Sequence, residues 1–203
     1  MNYLTRVILD KKSAVRKRLN DSYAWHRAVW EAFPDRPDDN RKFLTKVDDR
    51  GRFFELMILS EERPTLPDWG QWETKEIKPT FLEHERYAFN LRANTTVKRV
   101  VRDESGERKK NGRRTAIYKP EELRQWLERK AQQSGFAVEQ FDADPPIARP
   151  FRKDGKPGKH VRVDFKGILK VTDSSAFKEA FSKGIGPAKA FGFGMLMLQP
   201  VES

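Results

Sequence analysis

The order of apolar periods restricts the fold of this chain more than any other feature. Twice within 203 residues the sequence passes from two-residue alternation to helical spacing and back to alternation. Alternation sends side chains to both faces of a strand, whereas a stripe at i, i+3 and i+4 covers one face of a helix. Residues 3–9 alternate and offer Leu4, Val7 and Ile8 to a core. Helical spacing follows, weakly from Ser13 and clearly over 21–33, with Asp21 or Ser22 as N-cap and Pro34 as the stop. Residues 43–47 and 53–59 read as strands joined by a turn at Asp48, Asp49, Arg50 and Gly51. Residues 61–70 hold two prolines and read as loop, and 72–77 read as a further strand.

The second half repeats the order. A strand is expected over 87–98, then a basic stretch, then a helix from Pro120 to about residue 134. Pro120 at the first helical position, Glu121 and Glu122 behind it, and Arg129 and Lys130 near the far end all suit the helix dipole. Strands are expected over 136–141 and 161–171, a helix over 174–182, and a closing strand over 195–198. This is the βαββαβ order of ferredoxin-like, RNA-recognition-like domains. The expected class is therefore α+β, with two tandem ferredoxin-like domains over 1–82 and 86–203, the first degenerate in its second helix.

With 37% hydrophobic and 11% aromatic residues the chain can build a core. Its apolar runs fall far short of the roughly 18–20 residues needed to cross a bilayer, so no membrane association is expected. The N-terminal residues lack the pattern of a signal peptide, which leads to the expectation of a cytoplasmic protein. There is no cysteine, which excludes disulfides, thiolate metal sites and a cysteine nucleophile. The net charge of +11 is localised. Residues 98–119 carry a net +6 and residues 149–162 a net +5, so the rest of the chain is neutral. A clustered excess beside a neutral body suits a polyanionic partner, against the alternative of a solvated basic loop.

Three segments bear on chemistry. In the first helix Trp25, Ala28, Val29, Ala32 and Phe33 form one stripe. Tyr23, His26 and Trp30 fall on its edge, so Tyr23 and His26 point the same way. Histidine suits proton transfer in both directions near neutrality, although a boundary histidine can equally be structural. His84 has charged neighbours and reads as a surface residue, while His160 lies inside the second basic stretch. Glycines 184, 186, 192 and 194 surround Lys189 in a segment that reads either as a phosphate cradle or as a flexible helix-to-strand connection. It has neither the ending of a Walker A loop nor the context of a dinucleotide fingerprint. Residues 149–162 look like a long basic hairpin with its tip at Asp154-Gly155 or Pro157-Gly158. No paired-histidine motif appears, and the close acids Asp38-Asp39, Asp48-Asp49 and Asp142/Asp144 read as turn chemistry, so no metal or other cofactor is expected.

Together these residues resemble the CasE family, the type I-E CRISPR-associated endoribonucleases that process precursor CRISPR RNA within Cascade. The resemblance runs nearly the whole chain. It is carried by the start at Tyr3, by the Tyr23, His26, Trp30, Phe33 and Pro34 helix continuing to Asp38, by the segment 89–94, and by the glycine-rich segment 184–194. It implies cleavage at the base of a CRISPR repeat RNA hairpin, retention of the product, and partners among the other Cascade subunits, especially the backbone subunit beside the 3′ hairpin of the crRNA. His26 matches the catalytic histidine and Tyr23 its helper. The expected reaction is metal-independent attack by the 2′-OH on the adjacent phosphorus. It gives a 2′,3′-cyclic phosphate or 3′-phosphate and a 5′-OH, with His26 as acid or base and Arg27, Lys159 or Lys189 as a third group. Expected RNA contacts are Arg27, Arg92, Asn94, Lys98, Arg113, Arg114, Arg149, Arg152, Lys153, Lys156, Lys159, His160, Arg162 and Lys189, beside the loop glycines Gly184, Gly186, Gly192 and Gly194. The alternatives are a non-catalytic RNA-hairpin-binding subunit of the same fold and a DNA-binding structural protein.

Overall fold

The computed structural model describes residues 2–34, 42–99, 107, 113–153 and 156–201, without the side chains of Lys98, Arg99, Arg113 and Lys153. The family-like segment 35–38, most of the basic stretch after Arg99, and Asp154-Gly155 lie outside the described residues. The first half comprises β1 (Asn2–Asp10), α1 (Lys11–Arg16), α2 (Ser22–Trp30), β2 (Phe43–Asp49), β3 (Phe53–Ser60) and β4 (Gln71–Ile77). The second comprises β5 (Arg86–Asn94), β6 (Thr96–Arg99), β7 (Arg113–Ala116), α3 (Pro120–Gln133), β8 (Phe136–Ala143), β9 (Ile147–Lys153), β10 (Lys156–Val171), α4 (Ser174–Lys183) and β11 (Leu196–Pro200).

Each half forms an antiparallel sheet, in the orders β2-β3-β1-β4 and β11-β5-β10-β8. In both, the first strand lies between the third and the fourth, which is the ferredoxin-like arrangement repeated in tandem. No helix occupies residues 61–70 in the first half. Trp69 fills part of that space, 7% exposed, with its ring 4.8 Å from that of Trp72. The strand expected over 87–98 breaks at Thr95. Its second part, β6, leaves the main sheet and, among the described residues, pairs with β7 alone.

Strand alternation determines where the cores lie. Val7, Leu56, Ile58 and Phe43 face α2, whose Trp25, Ala28 and Val29 close the first core. On the opposite face of the same sheet, Leu44 and Leu59 belong to the second core with Trp126 and Leu127 of α3 and Phe177 and Phe181 of α4. The two halves therefore share apolar burial, the dominant stabilising contribution in such folds. Beside this shared core, Arg92 of β5 joins the halves through polar contacts. Its guanidinium donates to Asp164 (Nε–Oδ1, 2.8 Å), to the Val47 carbonyl (2.6 Å) and to Asp48 (2.6 Å).

Candidate active site

Helix α2 carries the candidate residues because both its start and its buried face are specified. Asp21 accepts from the Ala24 N–H at 2.8 Å and caps the helix. Val29 is fully buried and Trp25 is 6% exposed, which fixes the rotation of the helix on its sheet. Tyr23, His26 and Trp30 then fall half-buried along one edge, as their spacing predicts. The indole N–H of Trp30 donates to His26 Nε2 at 3.2 Å, and the His26 ring lies 5.8 Å from Phe43. An indole nitrogen can only donate, so Nε2 is the acceptor and Nδ1 carries the proton of the neutral ring.

Opposite this edge runs the glycine-rich segment between α4 and β11. Its backbone is stitched to the protein: Ile185 N–H donates to the Gly194 carbonyl at 2.8 Å, and Gly194 N–H to the Arg92 carbonyl at 2.8 Å. Gly194 has φ +85°, and a Cβ there would lie 2.5 Å from the Ile185 oxygen. At Gly184 a Cβ would lie 2.8 Å from the Leu44 side chain. These two glycines serve close packing, with their N–H groups bonded within the protein, which suits the helix-to-strand connection of the two alternatives. The part that faces α2 is 186–191. Gly186, Lys189 and their neighbours line a cleft of about 570 Å³ with His26 and Arg114, and Phe191 sits 6.3 Å from the Tyr23 ring.

That cleft opens into a larger groove of about 830 Å³ between α3 and α4, sharing Arg114, Gly186 and Lys189 with it. The groove adds Arg129, Lys130 and Lys183. Its one lining carboxylate among the described residues, Glu179, is bridged to Lys183 at 2.7 Å. Sequence reasoning missed these three cations as a surface. Arg129 and Lys130 are legible in the sequence as dipole-complementing charges near a helix end, but only the packing of α3 beside α4 aligns them with Arg114.

The expected contacts divide by exposure. Arg27, Arg114, Arg149, Arg152, Lys156 and Lys159 are exposed, and the Arg27 guanidinium lies 5.9 Å over the Tyr23 ring. Lys98, Arg113 and Lys153 stand on β6, β7 and β9. Four others are held within the protein. Arg92 and Asn94 are buried, Arg92 bonded as above and Asn94 accepting from the Val161 N–H at 2.9 Å. Arg162 is half-buried and donates to Asp164 at 3.0 Å. His160 is buried against Phe151, with parallel rings 4.3 Å apart, and burial lowers its pKa to about 4, so it is uncharged at neutral pH. Asp48 is corrected by the structure. It lies within β2 rather than in the turn, and although burial pushes its carboxyl up, Lys46 and Arg92 hold it lower overall, at about 2. Asp142 likewise lies within β8. His84 is exposed, as expected.

Among the described residues, no three His, Cys, Asp or Glu side chains converge as a metal site, and no helix is long and apolar enough to cross a membrane. The sequence is 32% identical over 206 residues to the CRISPR system Cascade subunit CasE of Escherichia coli K12, covering 98% of this chain and 100% of that one. It is 28% identical to the CRISPR-associated endoribonuclease Cse3 of Thermus thermophilus, with 98% of this chain and 100% of that one covered. The crystal structure of Cas6e from Escherichia coli K-12 superposes with a TM-score of 0.74 at 30% identity, covering 98% of this chain and 100% of that one. The profile of the family described as CRISPR associated protein matches residues 2–200, and the chain belongs to that family.

Proposed function

We propose that this protein is a CRISPR repeat endoribonuclease that processes precursor CRISPR RNA and remains on the product as a Cascade subunit. The observation that carries the reading is His26, a residue able to exchange protons, facing Arg114 and the Lys189 loop across one cleft. Its family relatives support the same reading: one is named an endoribonuclease and another a Cascade subunit.

In the proposed reaction the 2′-oxygen of the nucleotide before the cut attacks the adjacent phosphorus while the P–O5′ bond breaks. The 2′-OH loses its proton and the departing 5′-oxygen gains one. The products are a 2′,3′-cyclic phosphate, which can open to a 3′-phosphate, and a 5′-OH. His26 serves one of the two proton transfers. Tyr23 orients the phosphate or the imidazole through a hydroxyl that can both donate and accept a hydrogen bond. Cations along the cleft offset charge on the phosphorane. Of the candidate third groups, Lys189 lines the His26 cleft, Arg27 leans over Tyr23, and Lys159 stands on β10; this favours Lys189. The RNA stem follows the α3/α4 groove past Arg129, Lys130 and Lys183 towards the β6–β7 pair. A-form RNA is read chiefly through shape and backbone, which suits such a groove.

The test is incubation of the cognate repeat RNA with EDTA, beside a substrate carrying a single 2′-deoxy substitution at the scissile nucleotide. The ribose substrate should be cut and the deoxy substrate left intact. Cutting of the deoxy substrate would overturn the mechanism, and an intact ribose substrate would favour a binding-only subunit. His26→Ala should abolish cutting while hairpin affinity stays within about threefold, because one removed acid–base group accounts for roughly 10²–10⁴ in rate.

A further inference from the structure

The β9–β10 hairpin contributes more than exposed cations. Among the described residues strand β9 pairs only with β10, yet it is fastened to α2. The backbone N–H of Arg152 donates to Asp21 Oδ2 at 3.1 Å, while Asp21 Oδ1 caps α2 through Ala24. One carboxylate therefore holds both the hairpin and the first turn of the helix that bears Tyr23 and His26. A second connection is aromatic. Phe151 lies parallel to His160 at 4.3 Å, Phe191 sits 4.7 Å from both rings, and Phe193 lies 5.3 Å from His160. Phe191 then meets Tyr23. Gly158, paired with Phe151 across the hairpin, leaves room for that ring, because a Cβ there would lie 2.3 Å from it. His160 Nδ1 is buried without a hydrogen-bond partner, so the ring acts in the stack as an aromatic surface.

We propose that Asp21 and His160 are positioning residues: through Asp21 and the Phe151–His160–Phe191 stack, the seating of the basic hairpin sets the alignment of Tyr23 and His26. The inference rests on the endoribonuclease reading above. RNA drawn to the exposed hairpin cations Arg149, Arg152, Lys156 and Lys159 would press on an element locked to the catalytic helix at its cap and at its tyrosine. A hairpin that served only as an electrostatic tether would need neither lock. Misplacement of reacting groups by about 1 Å can lower a rate on the order of 100-fold, so two modest contacts are enough to matter.

The experiment compares single-turnover cleavage at saturating repeat RNA with hairpin affinity. Asp21→Asn keeps the cap, since Asn and Asp cap equally well, but can turn an amide N–H₂ towards the Arg152 N–H in place of an acceptor. It should lower the cleavage rate about 10- to 100-fold while the Kd stays within about threefold. His160→Ala should do the same, and His160→Phe should restore the rate because it keeps the stack. Asp21→Asn combined with Phe151→Leu should lose less than the product of the two single losses, since both loosen one hairpin. An unchanged rate in either Asp21→Asn or His160→Ala would overturn the inference, as would equal losses in rate and affinity. A His160→Phe variant that loses affinity and salt sensitivity would instead make His160 an RNA ligand. Wild-type protein that leaves the RNA uncut would remove the endoribonuclease reading, and this inference with it. Wild-type cleavage with an indifferent Asp21→Asn removes this inference alone.

Discussion

Arg92→Met is the substitution whose outcome most cleanly separates a cation that binds RNA from one that binds the protein. Methionine roughly matches the length of the arginine stem and removes the guanidinium. Four hydrogen bonds disappear, two to Asp164, one to Asp48 and one to the Val47 carbonyl. The carboxylates left behind have little access to water, with side chains 7% exposed at Asp164 and 15% at Asp48. Removing one partner of a buried ion pair typically destabilises by about 3–5 kcal/mol. Asp164 keeps Arg162 and Asp48 keeps Lys46, so the loss should fall near the lower end, about 3 kcal/mol. For a chain of this size that corresponds to a melting temperature lower by roughly 6–12 °C. The acid limb should move as well. Burial raises both Asp carboxyls, but their cationic partners hold them below their ordinary value of 3.8. A depressed carboxyl contributes stability above its ordinary pKa, and that contribution is lost as pH falls from about 4 towards 2. Without Arg92 part of it is gone already, so acid unfolding should begin at higher pH. The assays are thermal melts across pH and RNA binding across salt at a temperature where both proteins are folded. A variant that melts within about 2 °C of wild type would refute the structural role of Arg92. A Kd raised about tenfold with a salt slope lower by about one, the signature of a lost phosphate contact, would refute it equally.

Three further outcomes are expected. Trp30→Phe removes the donor to His26 Nε2 and should slow single-turnover cleavage about 5- to 10-fold at unchanged Kd, the equivalent of one net hydrogen bond of about 1 kcal/mol; a parallel rise in Kd would contradict an orienting role. The depressed pKa of His160 means that the unfolded chain binds a proton below about 6.5 that the folded protein refuses until about 4. Stability should therefore fall as pH drops through that window, and His160→Phe should flatten the fall in urea titrations at several pH values. Gly194→Ala forces a Cβ to 2.5 Å from the Ile185 oxygen at φ +85°; a loss of at least about 2 kcal/mol is expected in urea unfolding, and a neutral effect would mean that the loop can shift.

Much of the architecture was legible in the sequence because it depends on local rules. Alternation and helical spacing give the order of elements, Asp21 caps the start of α2, which ends at Trp30 short of the stop expected at Pro34, and Pro120 with its acidic followers starts α3. The Tyr23–His26–Trp30 edge is a consequence of helix geometry alone, and the Trp30 contact with His26 follows the i+4 rule. Charge placement pointed to a polyanion because like charges concentrate where something must neutralise them.

The tertiary structure decided which charges are available. Arg92 and Arg149 are the same residue type, but strand register turns Arg92 towards Asp164 and Asp48 and leaves Arg149 exposed. Burial turns His160 from an apparent member of a basic run into a neutral ring in an aromatic stack. The packing of α3 beside α4 gathers Arg129, Lys130 and Lys183 into one groove with Arg114. Periodicity reports which face of its own element a side chain occupies. What stands opposite that face depends on pairings between residues tens of positions apart, and those long-range contacts turned a lone His26 into the wall of a basic cleft.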